Sequence, residues 1–84
     1  NHSEEQLLTV NDEMEEYMFL GLRMMKGVDT VRFGELFGKS YDEVYGSITD
    51  RQIEQGLMVR DGNRVRLTDI GIDVSNTVMA EFML

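Results

Sequence analysis

Residues 57–68 read Leu57-Met58-Val59-Arg60-Asp61-Gly62-Asn63-Arg64-Val65-Arg66-Leu67-Thr68. Two short runs rich in β-branched and other apolar residues flank Asp61-Gly62-Asn63, residues suited to a tight reversal, so the stretch predicts a β-hairpin. In the second run Val65 and Leu67 alternate with Arg64 and Arg66. Successive strand side chains point to opposite faces, so one face is buried and the other is wet and basic. Gly56 precedes the hairpin, and Thr68, a good helix N-cap, follows it.

Upstream, Ser40-Tyr41-Asp42-Glu43 is a capping box that opens a helix with apolar positions at Tyr41, Val44, Tyr45, Ile48 and Ile53, closed by Gly56. Gly46 inside it costs about 1 kcal/mol relative to alanine, which predicts a close backbone contact there. A shorter helix precedes it, capped by Asp29 or Thr30, with Val31, Phe33, Leu36 and Phe37 as its apolar content and Gly38 as its end. The first helix is predicted from about Asp12 to Lys26, with Asn11 or Thr9 as N-cap. Its stripe is Met14, Tyr17, Met18, Leu22 and Met25. Carboxylates crowd its first turn, while Arg23 and Lys26 sit in its last, an order that suits the helix macrodipole. Gly27 is its expected left-handed stop. Glu4 to Thr9 is a polar lead-in. Downstream of Thr68, Ile70, Val74, Val78, Met79 and Phe82 fit one helix running to the chain end. The expected fold is therefore mostly α with a small β-hairpin, winged-helix-like: three helices, a two-stranded wing and a C-terminal helix. Residues 1–10 read as a linker or an added terminal remnant, and residues 11–84 as one domain.

The 84 residues suit one compact domain, and 42% apolar with 29% charged residues is the composition of a folded chain. No cysteine is present. That removes disulfides, a thiolate nucleophile and any cysteine-held zinc or iron–sulfur site. A cytoplasmic location is the default expectation. No apolar run approaches the roughly 18–20 residues that span a bilayer, and Asn1-His2-Ser3-Glu4-Glu5 is too polar for a signal peptide. The net charge is −8, and Glu4, Glu5, Asp12, Glu13, Glu15 and Glu16 precede any Lys or Arg. A field of this sign repels phosphate backbones and anionic membranes, so neither nucleic acid nor a membrane is an expected partner.

Beyond these local signals, several residues recur together: Gly21-Leu22-Arg23, Gly27, Phe33, Phe37-Gly38, Tyr45, Gly56-Leu57, Leu67-Thr68 with Gly71, and Ser75-Asn76 followed by Val78 and Phe82. Leu-Thr-x-x-Gly alone is a weak signal, because many winged helices close their wing that way. The joint pattern, from about Glu16 to Phe82, resembles the C-terminal domain of the oxygen-independent coproporphyrinogen III oxidase-like proteins of the radical-SAM family. The resemblance implies a parent whose N-terminal barrel binds a 4Fe-4S cluster and S-adenosylmethionine. In one branch that parent is an oxidoreductase of porphyrin biosynthesis, decarboxylating coproporphyrinogen III. In another it binds or transfers haem. The domain is then a non-catalytic accessory that packs on the barrel of its own chain and helps enclose the substrate side. A chain without cysteine holds no such cluster, so this piece is inactive alone, with no catalytic, cofactor-binding or metal-binding residue of its own.

Three residues are candidates for facing a porphyrin or the barrel. Arg23 sits among apolar neighbours, where a guanidinium either grips a porphyrin propionate or closes an internal ion pair. Ser75 and Asn76 interrupt an apolar helix, which predicts a hydrogen bond to another segment or to the barrel. His2, the only histidine, is an axial haem ligand by chemistry but stands in a polar terminus without a second ligand. The methionines (14, 18, 24, 25, 58, 79 and 83) read mainly as core, with Met24 turned toward the barrel. Glu15 and Glu16 are adjacent and point apart, so they make no acid–base pair. Phe19, Leu20, Met24, Ile72 and Met83 exceed one stripe per helix. They predict a docking face through which the isolated domain also dimerises. The competing functional classes are a DNA-binding winged helix, with Arg60, Arg64 and Arg66 as a basic wing, and a protein-interaction winged helix. The helix that would enter the major groove argues against DNA, since Asp42, Glu43, Asp50 and Glu54 oppose Arg51 alone.

Overall fold

A computed structural model describes residues 10–84. The lead-in Glu4–Thr9, the candidate cap Thr9 and His2 lie outside the described residues. The chain runs α1 (Val10–Leu22), β1 (Val28–Asp29), α2 (Thr30–Phe37), α3 (Tyr41–Glu54), β2 (Met58–Asp61), β3 (Arg64–Leu67), α4 (Asp69–Asp73) and α5 (Ser75–Ala80). It is mostly helical, with a small antiparallel sheet in the order β1-β3-β2.

The hairpin forms where the sequence places it. Met58 faces Leu67 and Asp61 faces Arg64 across the ladder. Gly62 takes a left-handed φ of 61° at the first position of the two-residue turn, as a type II′ reversal requires. Val65 and Leu67 are buried and Arg64 and Arg66 exposed, so the alternation holds. The Asn63 carbonyl accepts from the Thr30 backbone N–H at 2.8 Å and from its hydroxyl at 3.2 Å, which ties the turn to α2. On the free edge of β3, Val28 and Asp29 add a third strand opposite Val65 and Arg64.

Caps follow the sequence closely. Asp29 accepts from the N–H groups of Val31 and Arg32, Ser40 from that of Glu43, and Thr68 from that of Gly71. Each satisfies a backbone donor that the first helical turn leaves without an intrahelical partner. At the end of α3 the Gly56 N–H bonds the Ile53 carbonyl and the Leu57 N–H bonds that of Gln52, a Schellman pair that turns the chain into β2.

Three expectations need correction. First, α1 ends at Leu22, with no basic residue in its last turn. Arg23 and Lys26 lie in the turn that follows, so they do not complement the dipole from within the helix, and Asn11 lies inside α1 and is not its cap. Met25, assigned to the stripe, is 95% exposed because the helical period stops before it. Gly27 takes the expected left-handed φ, 78°, but it lies five residues past the helix end, where a Cβ would meet the Val65 carbonyl, so it does not stop the helix. Second, the last helix is two short ones. Val74 leaves helical geometry at φ −116°, ψ 32°, which re-phases the residues around it. Ile70 and Val74, expected in the core, are exposed, as are Val31 and Leu36 on α2, while Val78 and Phe82 are buried. Third, the close neighbour of Gly46 is the Asp42 side chain one turn back, 3.2 Å from where a Cβ would stand, and not another backbone.

The core joins Met14, Met18 and Leu22 of α1 to Phe33, Tyr41, Tyr45, Met58, Val65, Val78 and Phe82. The Tyr45 hydroxyl donates to the Phe82 carbonyl at 2.9 Å, fastening the C-terminus to α3. Burial pushes the Tyr41 phenol up to about 12, and its hydroxyl shares a 2.6 Å hydrogen bond with Thr49.

Arg60 of β2 makes a two-pronged bond to Asp42 of α3, at 2.6 and 3.2 Å. Its guanidinium carbon lies 5.8 Å from the Tyr41 ring centre. The Arg60 hydrogen bond is the main reason the Asp42 carboxyl falls below its usual 3.8. A depressed carboxyl pKa adds stability above the unfolded value and loses it as pH falls through the folded one. The Asp42 side chain is 61% exposed, so water screens the pair to about 0.5 kcal/mol. Asp42→Asn should therefore lower the urea midpoint slightly at pH 7, and the difference from wild type should vanish as the pH falls below the ordinary carboxyl value of 3.8 and through the lowered folded-state one. An equal deficit at both pH values would show that Asp42 acts by packing alone.

Candidate functional site

The turn after α1, the outer face of β3 and the last two helices do not close on one another. Between them lies a groove of about 340 Å³. It is lined by Leu22, Arg23, Met24 and Met25 of and after α1, by Arg66 and Leu67 of β3, and by Asp69, Ile72, Ser75 and Met79 of the last two helices. The turn carrying Arg23 is held by the Met24 N–H on the Gly21 carbonyl at 3.1 Å and the Gly27 N–H on the Met24 carbonyl at 3.0 Å. β3 is the central strand of the sheet, so Arg66 projects from a backbone paired to β2.

Arg23 also borders a shallower recess with Phe19, Asn76, Met79, Ala80 and Met83, of about 240 Å³. The three residues singled out from sequence are thus brought to one region. Arg23 lines both, Ser75 the groove and Asn76 the recess. Ser75 and Asn76 open α5 after the break at Val74, and among the described residues neither side chain makes a hydrogen bond to another segment. Arg23 likewise has no carboxylate partner among the described residues, so its internal ion pair is not formed.

Sequence reasoning missed Arg66 and Met25 as groove residues. Alternation put Arg64 and Arg66 alike on the wet face of β3, and nothing local separates them. The structure does. Arg64 lies 3.7 Å from Asp29, and Arg60 is held by Asp42, whereas Arg66 faces the groove. Arg32 and Arg51 are also paired, with Glu35 at 3.4 Å and with Glu81 at 3.5 Å, whereas Arg23 is not paired among the described residues. The basic hairpin is thus largely neutralised by carboxylates.

Of the surplus apolar residues, Met24 and Ile72 line the groove and Phe19 and Met83 the recess, while Leu20 lines a neighbouring pocket with Tyr17, Gly21 and Met24. Leu20, Met24, Ile72 and Met83 are all more than half exposed, and Phe19 is partly buried. Met14, Met18 and Met58 fill the core as expected, while Met24, Met25 and Met83 lie on the surface. Among the described residues no group of three or more His, Asp or Glu side chains gathers as a metal site, and no helix is long and apolar enough to cross a membrane. The chain has no cysteine, so its residues do not fit an iron–sulfur cluster, and no chemistry of such a group is assigned to them.

Comparison with known proteins places the chain in a family. The profile of the HemN C-terminal domain matches residues 8–74. The protein named heme chaperone HemW from Lactococcus lactis subsp. lactis (strain IL1403) is 36% identical over 80 residues, covering 95% of this chain and 21% of that protein. Its namesake from Bacillus subtilis (strain 168) is 37% identical over 76 residues, covering 90% and 20%. The chain thus spans about a fifth of the length of the curated relatives it matches. No solved structure matches significantly.

Proposed function

The chain belongs to the HemN C-terminal domain family, and from that premise we propose that it is the non-catalytic closing module of a larger haem-handling protein. Its groove face docks on the rest of the parent and helps enclose the haem side. The observation that carries this is the apolar border of the groove and recess. Met24, Ile72 and Met83 lie in water at 58–62% exposure along the groove and recess, with Leu20 exposed beside Met24, in a chain whose relatives are about five times longer. Apolar area of that kind gains about 25 cal/mol per Å² when covered, and the rest of a longer parent is the natural cover.

The relatives bear the name of a heme chaperone, which supports the haem-handling branch over the coproporphyrinogen-decarboxylating one. In this proposal a barrel with a 4Fe-4S cluster and S-adenosylmethionine lies elsewhere in the parent, and the whole is cytoplasmic. Residues 10–84 fold as one winged-helix-like unit. The isolated chain pairs with a second copy through the same uncovered face.

Leu20, beside Met24 in a neighbouring pocket, and Met83, in the recess, do not line the groove itself. Leu20→Asp combined with Met83→Asp should cost the isolated chain less than about 1 kcal/mol, because both side chains are exposed. Installed in the parent, the same pair should weaken docking at least about tenfold, since two carboxylates would be buried without partners. The assay is association of this chain, supplied in trans, with a parent lacking it, followed by haem retention after gel filtration. Unchanged association by the double variant would refute the docking face.

A further inference from the structure

Resting on the haem-handling reading, we propose that Arg23 and Arg66 form a clamp for the carboxylate edge of an apolar-bodied ligand, which in a haem-handling protein is the propionate edge of the haem.

The chain has six arginines, and their pairing is uneven. Arg32, Arg51, Arg60 and Arg64 each lie within 4 Å of a carboxylate, whereas Arg23 and Arg66 have no such partner among the described residues. In a chain of net charge −8, an arginine finds a carboxylate easily. That these two have none among the described residues, and that they line the same groove from different elements, sets them apart. A guanidinium presents parallel N–H donors that match the two oxygens of a carboxylate.

The rest of the lining defines the ligand. Leu22, Met24, Leu67, Ile72 and Met79 are apolar, so the body that accompanies the carboxylates is apolar too. Ser75 adds a hydroxyl. Asp69 is the one acidic lining residue, and two guanidiniums against one carboxylate leave the groove positive in a negative chain. A volume of about 340 Å³ accepts the edge of a tetrapyrrole and not the whole ring. The macrocycle would then lie across the lip at Met24 and Met25, toward the face assigned above to docking. Haem carries both its carboxylates on one edge, so a pair of arginines at the groove and an apolar lip outside it match that polarity.

The test separates the clamp from the haem reading. Haem and haem dimethyl ester share the iron and the macrocycle, but in the ester both carboxylates are blocked. Each is titrated into the 84-residue chain and followed by absorbance, with thermal melts confirming that every variant is folded. The chain should bind haem saturably and the ester at least about tenfold more weakly, as loss of charge-assisted hydrogen bonds demands. Arg23→Gln and Arg66→Gln should each weaken haem binding by about tenfold and leave the weak ester binding unchanged. Arg64→Gln, which removes a paired arginine, should alter neither. Equal affinity for haem and ester would overturn the clamp while leaving haem recognition intact. No saturable binding of either would also overturn it, and would place haem recognition in the rest of the parent, where the Leu20/Met83 experiment tests the docking face independently.

Discussion

Replacing Gly71 with alanine should destabilise the chain by about 3 kcal/mol and lower its thermal midpoint by about 10–20 °C. Helix propensity alone predicts the opposite, because alanine gains about 1 kcal/mol over glycine inside a helix. The close approach decides the sign. A Cβ at Gly71 would stand 2.0 Å from the Leu57 carbonyl oxygen, and that atom is backbone that cannot rotate away. The same carbonyl accepts the Thr68 N–H at 3.0 Å, so moving it also strains the bond that docks the start of α4 on the start of β2. Thr68 adds its own hydroxyl bond to the Gly56 carbonyl at 2.7 Å, and the junction has little slack. Gly34 is the control. It lies within α2, and its nearest neighbour to a new Cβ is 3.8 Å away. Gly34→Ala should therefore stabilise by about 0.5–1 kcal/mol. Urea midpoints of the two variants should move in opposite directions, and a Gly71→Ala chain as stable as wild type would refute the contact.

The sequence pattern that contains Gly71 was legible, but its physical reason was not. Caps and turns are local chemistry, so Asp29, Ser40, Thr68 and the Gly62 reversal could be read from a few neighbouring residues. The hairpin was legible for the same reason, since alternation over Arg64 to Leu67 needs only four residues. Strand β1 was not, because two residues carry no period and Val28 is set by its partner Val65 across the sheet. The ends of α1 and of the last helix were misplaced because apolar residues continue past each one. Met25 and Ile70 match the helical spacing but stand in water, since the backbone leaves that spacing at Arg23 and at Val74. Of the site, the sequence disclosed Arg23, Ser75 and Asn76 as polar residues in apolar company. It could not disclose Arg66, which differs from Arg64 in that Arg64 meets Asp29 while Arg66 has no carboxylate within 4 Å among the described residues and lines the groove. A groove between four segments is a property of packing, and no single segment encodes it.

Phe33→Ala should cost about 3–5 kcal/mol, enough to leave the chain marginal or unfolded at 37 °C. At roughly 0.05–0.15 kcal/mol per residue, a domain of this length has on the order of 4–13 kcal/mol in total. Phe33 is fully buried, and its ring meets four others edge-on: Phe37 at 4.9 Å, Tyr41 at 5.5 Å, Tyr45 at 5.8 Å and Tyr17 at 5.9 Å. These contacts join α1, α2 and α3, so truncation removes apolar burial and edge-to-face attraction at the point where three helices meet. The neighbours are poorly placed to refill the space. Tyr45 is held by its bond to the Phe82 carbonyl, Tyr41 by Thr49, and Tyr17 by a 2.9 Å bond to the Asp29 carbonyl. A hydroxyl pulled inward to fill a cavity would lose that partner, at a further cost of about 1–3 kcal/mol. Phe33→Leu keeps most of the volume and should cost under about 2 kcal/mol. Thermal melts at neutral pH rank the three chains, and a Phe33→Ala loss as small as that of Phe33→Leu would mean the ring cluster repacks. The same comparison bears on function. Phe33 does not line the groove that holds Arg23 and Arg66, so Phe33→Leu, still folded, should retain docking and any haem affinity. Leu20→Asp with Met83→Asp should lose docking while its melting curve scarcely moves. The core and the groove face are separate features of this fold, and one pair of melts beside one binding series tells them apart.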